Sequence, residues 1–255
     1  MKLNIATGRL TAALTGLALM SIFGVAKATL VEGFESGFSG SESTVGDAGI
    51  KTSYHTINAP EGTHQLLLTT INNTSDPGYT HEFADAVNNA TLATFFGVSS
   101  SLIRDGAATS QEGSGFKLSL GVLTAGTTIT LGYDFLTTES GTGHHNDFAF
   151  YTLTGVAGVT VIADTNSGLL HPTTDGTNPF NLETGYQTLT ININTTATYT
   201  LGLGVSDATT TDNPSGLLID NIQVVGPVPE PTTIAFSVAG AALLVALRSR
   251  IKRTS

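Results

Sequence analysis

The chain has 255 residues, a formal net charge of −10, no cysteine and no tryptophan, which excludes a disulfide framework, thiol catalysis and cysteine-ligated zinc. Seven of its ten cations stand in two terminal segments, leaving Lys51, Arg104 and Lys117 against the twenty acids between Glu32 and Glu230, a formal charge of −17. Such a stretch is unsuited to nucleic acid, whose binding relies on Lys and Arg, and suits a solvated extracellular surface, divalent cations or neutral glycans.

In chain order, Lys2 and Arg9 precede an apolar run from Leu10 to Val25, and Ala26-Lys27-Ala28 has the small-x-small pattern of a signal-peptidase site. Residues 1–28 are expected to be a signal peptide, with a retained first membrane helix as the alternative. Residues 29–226 are rich in Gly, Thr, Ser and Asn, with apolar residues that alternate or cluster between turn signals. This pattern predicts nine strands, at 30–35, 65–71, 116–123, 127–137, 147–153, 159–164, 186–192, 198–205 and 217–225. One helix is predicted over His81 to Gly97, with Phe83, Val87 and Ala90 on one face and Gly97 as its C-terminal cap. The expected fold is all-β, a jelly-roll-like antiparallel sandwich with one short helix. No internal repeat is present.

The chain ends, over residues 227–255, in three parts. Pro229-Glu230-Pro231 is followed by sixteen uncharged residues, Thr232 to Leu247, and a basic tail at 248–255 with Arg248, Arg250, Lys252 and Arg253. A helix over 232–247 is ~24 Å long at ~1.5 Å per residue, slightly short of a ~30 Å hydrocarbon core, and Arg248 and Arg250 can snorkel to close that gap. The alternative is a buried terminal helix. Four cations after the span favour a cytoplasmic C-terminus, which puts the preceding domain outside the inner membrane. The two prolines impose extended backbone and withhold two donors, as suits an extended enzyme cleft. This tail resembles the PEP-CTERM sorting signal of bacterial exported proteins. The resemblance implies processing by an exosortase at the membrane, then delivery to the cell surface or extracellular matrix.

A second resemblance rests on Thr94-Phe95-Phe96-Gly97-Val98, Asp134 to Glu139, Asn146 to Phe150, Gly185 to Thr188 and Leu217 to Asn221. These segments resemble recurring blocks of a secreted bacterial and cyanobacterial PEP-CTERM ectodomain family. The likeness implies the fold and export, and supplies no catalytic residue.

Motifs for chemistry are sparse. His144-His145-Asn146-Asp147 is the densest polar cluster, without a third ligand at metal spacing, and there is no Gly-x-Ser-x-Gly elbow. Calcium is the more credible ligand, because hard oxygens are abundant. One expected set joins Glu32 and Glu35 near the first strand to Asp220 in the last, where an ion would tie down both chain ends. That placement is also where carbohydrate-binding jelly rolls often hold a structural calcium. A second set is Glu139, Asn146 and Asp147. Sugar stacking, without tryptophan, falls to Tyr54, Tyr79 and Tyr186 near predicted loops.

These features support three readings. The first is an exported, non-enzymatic surface or matrix protein sorted by its tail, with signal peptidase and exosortase as processing partners. The alternative is a calcium-dependent module that binds exopolysaccharide, and the third is a secreted glycan hydrolase with a carboxylate pair.

Overall fold

The structure is a computed structural model and describes residues 28–139 and 146–227. In chain order its strands are β1 (Ala28–Glu32), β2 (Glu42–Val45), β3 (Asp47–Lys51), β4 (Ser53–Tyr54), β5 (Ile57–Asn58), β6 (Gln65–Thr69), β7 (Val87–Asn88), β8 (Arg104–Asp105) and β9 (Ala108–Leu123). They continue with β10 (Thr128–Thr137), β11 (Phe148–Leu153), β12 (Thr160–Asp164), β13 (His171–Pro172), β14 (Leu182–Glu183), β15 (Gln187–Asn192), β16 (Ala197–Ala208) and β17 (Ser215–Val225). One helix, α1 (Asn89–Phe96), lies between β7 and β8.

Two antiparallel sheets form a sandwich. The eight-stranded sheet runs β13-β14-β10-β17-β6-β3, with β1 on β17 and β15 on β10, and the seven-stranded sheet runs β12-β11-β16-β9-β2, with β7 and β8 on β9. Between them, Leu66, Ile129, Phe135 and Ile219 of the first sheet share a buried cluster with Phe116, Leu201 and Val205 of the second. Burial of each such side chain contributes about 1.5 to 3 kcal/mol before the entropy of ordering it is counted.

Each sheet is covered on part of its outer face, which explains where alternation stops. In β10, Thr128 to Gly132 alternate between half-buried and buried, whereas Tyr133 to Thr137 are all buried. The outer side of that second half carries a separate apolar cluster of Tyr54, Leu67, Ile71, Leu136, Phe180 and Leu218. On the other sheet, Leu92 and Ala93 of α1 join Phe148, Phe150 and Ala208 in a third cluster. A strand covered on both faces reads as a continuous apolar run, and one covered on a single face reads as alternation.

The helix is shorter than the predicted 81–97. Asn88 caps its N-terminus by accepting from Thr91 N, and Gly97 ends it in the left-handed region at φ 72°, where glycine carries no Cβ penalty. Residues 82–84 are held out of the helix because the Asp47 carboxylate takes their amides, at 3.1 Å from Glu82, 2.7 Å from Phe83 and 3.3 Å from Ala84. Ala86 N donates to Ile71 O as well. Among the described residues no helix is long and apolar enough to cross a membrane. Residues 1–27 of the expected 1–28 leader and residues 228–255 of the expected 227–255 tail, including the predicted span 232–247, lie outside the described residues.

Candidate functional site

A hollow of about 350 Å³ opens on the uncovered half of the outer face of the eight-stranded sheet. It arises from a break in register. Opposite β10, the pairing jumps from Thr130↔Gln223 to Gly132↔Asp220, so Asn221 and Ile222 face Leu131 alone. Asn221 takes up this extra residue in the left-handed region at φ 56°, and such a bulge re-aims side chains along a strand. The hollow is lined by Thr130, Gln187, Asn221 and Gln223, with Pro60 and Tyr186 at its wall. Gly132 is its floor: a Cβ there would meet Tyr186 Cδ1 at 3.3 Å and Pro60 Cγ at 3.5 Å. The Tyr186 hydroxyl is held by Gln65 Oε1 at 2.5 Å, and Gln223 Nε2 donates to Asn221 Oδ1 at 2.5 Å. The lining holds amides, hydroxyls and one aromatic ring, and no charged group.

Beside it, the predicted calcium residues are partly brought together. Asp220 Oδ2 accepts from Glu61 N at 2.8 Å, while Asp220 Oδ1 and Glu61 Oε2 are buried without hydrogen-bond partners. Burial, and then the charges of Glu61 and Glu35, push the Asp220 carboxyl up to about 6. Glu35 is held differently, accepting from Thr63 N at 2.6 Å and His64 N at 2.7 Å. These amides hold its carboxyl at about 2. Glu32 faces elsewhere: it accepts from Phe34 N at 2.6 Å and is pushed up to about 7 by burial and the neighbouring Glu42 carboxyl.

A second acidic group, which motif reading missed, sits where β9 and β16 meet the turn at 72–76. One carboxylate oxygen from each of Asp76, Glu112 and Asp207 lies within 4.8 Å of the others. Glu112 and Asp207 are cross-strand partners in register, a pairing that like charges destabilise. Asp76 comes from a turn closed by Asp76 N to Asn72 O at 2.8 Å. Asn72 N donates to Asp76 Oδ2 at 2.8 Å, Asn72 Nδ2 to Glu112 Oε2 at 3.0 Å, Ser75 Oγ to Glu112 Oε1 at 2.7 Å and Thr70 Oγ1 to Asp207 Oδ1 at 2.6 Å. Asp76 Oδ1 and Asp207 Oδ2 are buried without a donor. The neighbour of Asp207 is Asp147, another carboxyl, which can donate only when protonated. Burial, then the Asp147 charge, raises Asp207 well above the usual carboxylate range. Burial also pushes Asp76 to about 6 and raises Glu112. The sequence signal was an acid inside a run otherwise suited to a buried strand, as in Val205-Ser206-Asp207-Ala208.

The second predicted calcium set divides. Asp147 lies near Glu139 and is pushed up to about 7, first by burial, and it accepts from Ala208 N at 2.9 Å and Ser215 Oγ at 2.7 Å. Asn146 faces away, bonded to Asp105 and Asn166. Of the predicted stacking residues, Tyr54 is 2% exposed and offers no face to a sugar, because it is part of the apolar cover of the sheet. Tyr79 packs half-buried against that same cover, and Tyr186 alone of the three lines the hollow. His144 and His145, and the sorting residues Pro229, Glu230, Pro231, Arg248, Arg250, Lys252 and Arg253, lie outside the described residues.

No family model and no curated protein matches the chain. Solved structures are similar in strand arrangement. The K1 cleaved adhesin domain of Lys-gingipain from Porphyromonas gingivalis W83 is similar at 8% identity and a TM-score of 0.39, covering 80% of this chain and 99% of that one. A CBM22-1 xylan-binding domain from Paenibacillus barcinonensis is similar at 12% and 0.36, covering 80% and 98%. A family 35 carbohydrate-binding module from Clostridium thermocellum is similar at 10% and 0.34, covering 79% and 99%. None of these likenesses carries a ligand over to this chain.

Proposed function

We propose that this chain is an exported, non-enzymatic β-sandwich of jelly-roll kind that binds neutral glycan, such as exopolysaccharide, in the hollow between Tyr186 and Gln223. The observation that carries this reading is the uncharged polar lining beside an aromatic ring, on a sheet face left open by the Asn221 bulge. Sugar hydroxyls need both donors and acceptors: Asn221 and Gln223 supply both from their amides, and Gln187, whose Nε2 is held by Thr184 O and Gly185 O, supplies its Oε1 as an acceptor. An aromatic edge or face adds apolar contact to a sugar ring. A catalytic role is disfavoured because Asp76, Glu112 and Asp207 are 2%, 5% and 0% exposed, whereas a glycosidase pair flanks its substrate across a cleft.

Export and sorting belong to the same proposal. A leader over residues 1–28 is removed by signal peptidase, and the tail, through its Pro229-Glu230-Pro231 motif and basic end, anchors the chain in the inner membrane until an exosortase delivers it to the cell surface or matrix.

The test is affinity electrophoresis of the full-length chain through gels containing the producing cell's exopolysaccharide or a panel of neutral polysaccharides. Retardation is expected, and Gln223→Ala should weaken it about five- to tenfold, the effect of ~1 kcal/mol from one lost hydrogen bond. No retardation in any gel, or retardation unchanged in Gln223→Ala and Gln187→Ala, would overturn glycan binding in this hollow. For sorting, Glu230→Ala should leave unprocessed protein in the membrane fraction, and normal processing would refute the signal.

A further inference from the structure

The buried acids between β9, β16 and the 72–76 turn are unlike any other group among the described residues. Asp76 and Asp207 are 2% and 0% exposed; Asp76 Oδ1 meets no donor, and beyond Thr70 the side chain beside Asp207 is another carboxyl, Asp147. Glu112 stands directly across from Asp207. The described cations are engaged or exposed elsewhere: Lys51 pairs with Glu82 at 2.5 Å, Lys117 donates to Phe95 O at 2.7 Å, and Arg104 is exposed on β8. Buried charge without a counter-ion is expensive, and proteins resolve it by protonation, pairing or metal.

The donor set indicates which metal. All three groups offer carboxylate oxygen, with no imidazole or sulfur, which selects a hard cation. Ca²⁺ takes about six to eight oxygens in flexible geometry, whereas Mg²⁺ demands a near-ideal octahedron and gives up its waters reluctantly, so three carboxylates brought together from three separate elements suit the larger ion. Asn72, Ser75 and Thr70 donate to Asp76 Oδ2, to both Glu112 oxygens and to Asp207 Oδ1, orienting the three carboxylates in the way outer donors fix metal-bound ones. Around the group, Asn73, Thr74, Pro77 and Gly78 are exposed, so the turn itself is the route to solvent.

We propose that Asp76, Glu112 and Asp207 form a calcium site that fastens the 72–76 turn to the paired strands β9 and β16. It is separate from the Glu35 and Asp220 region, which borders the hollow on the opposite sheet, and it does not depend on glycan binding. Its role is to hold the long 70–86 connection, which otherwise has little regular structure, against the sandwich.

The test is thermal unfolding and calorimetric titration of the full-length chain in detergent, after chelation, with Ca²⁺ or Mg²⁺ added back. Calcium at about a hundred times Kd should raise Tm by about 5 to 10 °C, and magnesium by much less. Asp76→Asn combined with Asp207→Asn should abolish that rise while leaving Tm in chelator no lower than that of the natural chain, and Asp220→Asn should retain it. Should the double variant fail to fold, Glu112→Gln replaces it with the same expectation. The proposal is overturned by the absence of a calcium effect in the natural chain, by a rise that survives loss of Asp76 and Asp207 or of Glu112, by a rise removed instead by Asp220→Asn, or by a magnesium effect equal to calcium's.

Discussion

Asp47 and Asp207 are both fully buried carboxylates, and they flank the same 70–86 connection in opposite circumstances. Asp47 receives the amides of Glu82, Phe83 and Ala84 and the hydroxyl of Thr69. Asp207 receives Thr70 on one oxygen and nothing on the other, with Glu112 across the strand and Asp147 beside it. A buried acid surrounded by donors organises the chain by itself. One surrounded by other acids needs a proton or a cation. Burial alone therefore says little about what an acid does; the count of donors around it decides.

The sharpest test of this contrast lies at a third buried acid. Asp134 Oδ1 accepts from Thr184 N and Oγ1 at 3.1 Å each, but Oδ2 has no partner. Burial, then the charge of Glu183, pushes it up to about 7, with His171 acting the other way and the Tyr186 hydroxyl nearby. Its folded value lies above the unfolded one, so its contribution is present in full below about pH 4 and is lost as pH rises through about 7. The loss is on the order of 4 kcal/mol. Asp134→Asn should make the fall of urea-derived stability between pH 5 and 8 shallower, the remainder belonging to Glu32, Asp76, Asp147 and Asp220, and an unchanged slope would show that those groups alone set it.

Asp47→Ala comes next. It strands several amide donors and should cost about 3 kcal/mol, read as a lower urea midpoint with an unchanged m-value. Asp47→Asn should also destabilise, whereas Asp207→Asn in chelator should not. Equal losses from those two amide substitutions would erase the distinction between the sites.

The smallest effect is expected at Glu35, exposed and satisfied by Thr63 and His64. Its folded value, about 2, lies below the unfolded one, so its contribution is present above about pH 4.5 and lost as pH falls through about 2. Glu35→Gln should lower stability slightly at pH 7 and make no difference below about pH 2, so that the curve falls less steeply toward acid. A change at pH 7 larger than that of Asp47→Ala would reverse the ranking.

What the sequence determined by itself is the all-β class, nine of the seventeen described strands to within a few residues at most ends, and the left-handed stop at Gly97. These follow from local chemistry: alternation, turn residues and the steric freedom of one glycine. The same local pattern overextended the helix, because the amides of residues 82–84 are claimed by Asp47, far back in the chain. Only the tertiary structure decided which half of each sheet is covered, sending Tyr54 into an apolar cover and leaving Tyr186 at an open hollow. It also decided that Asp76, Glu112 and Asp207 converge. Each comes from a different element, and a carboxylate in sequence carries no mark of what faces it. Register between β9 and β16, and one turn folded against them, bring the three charges together.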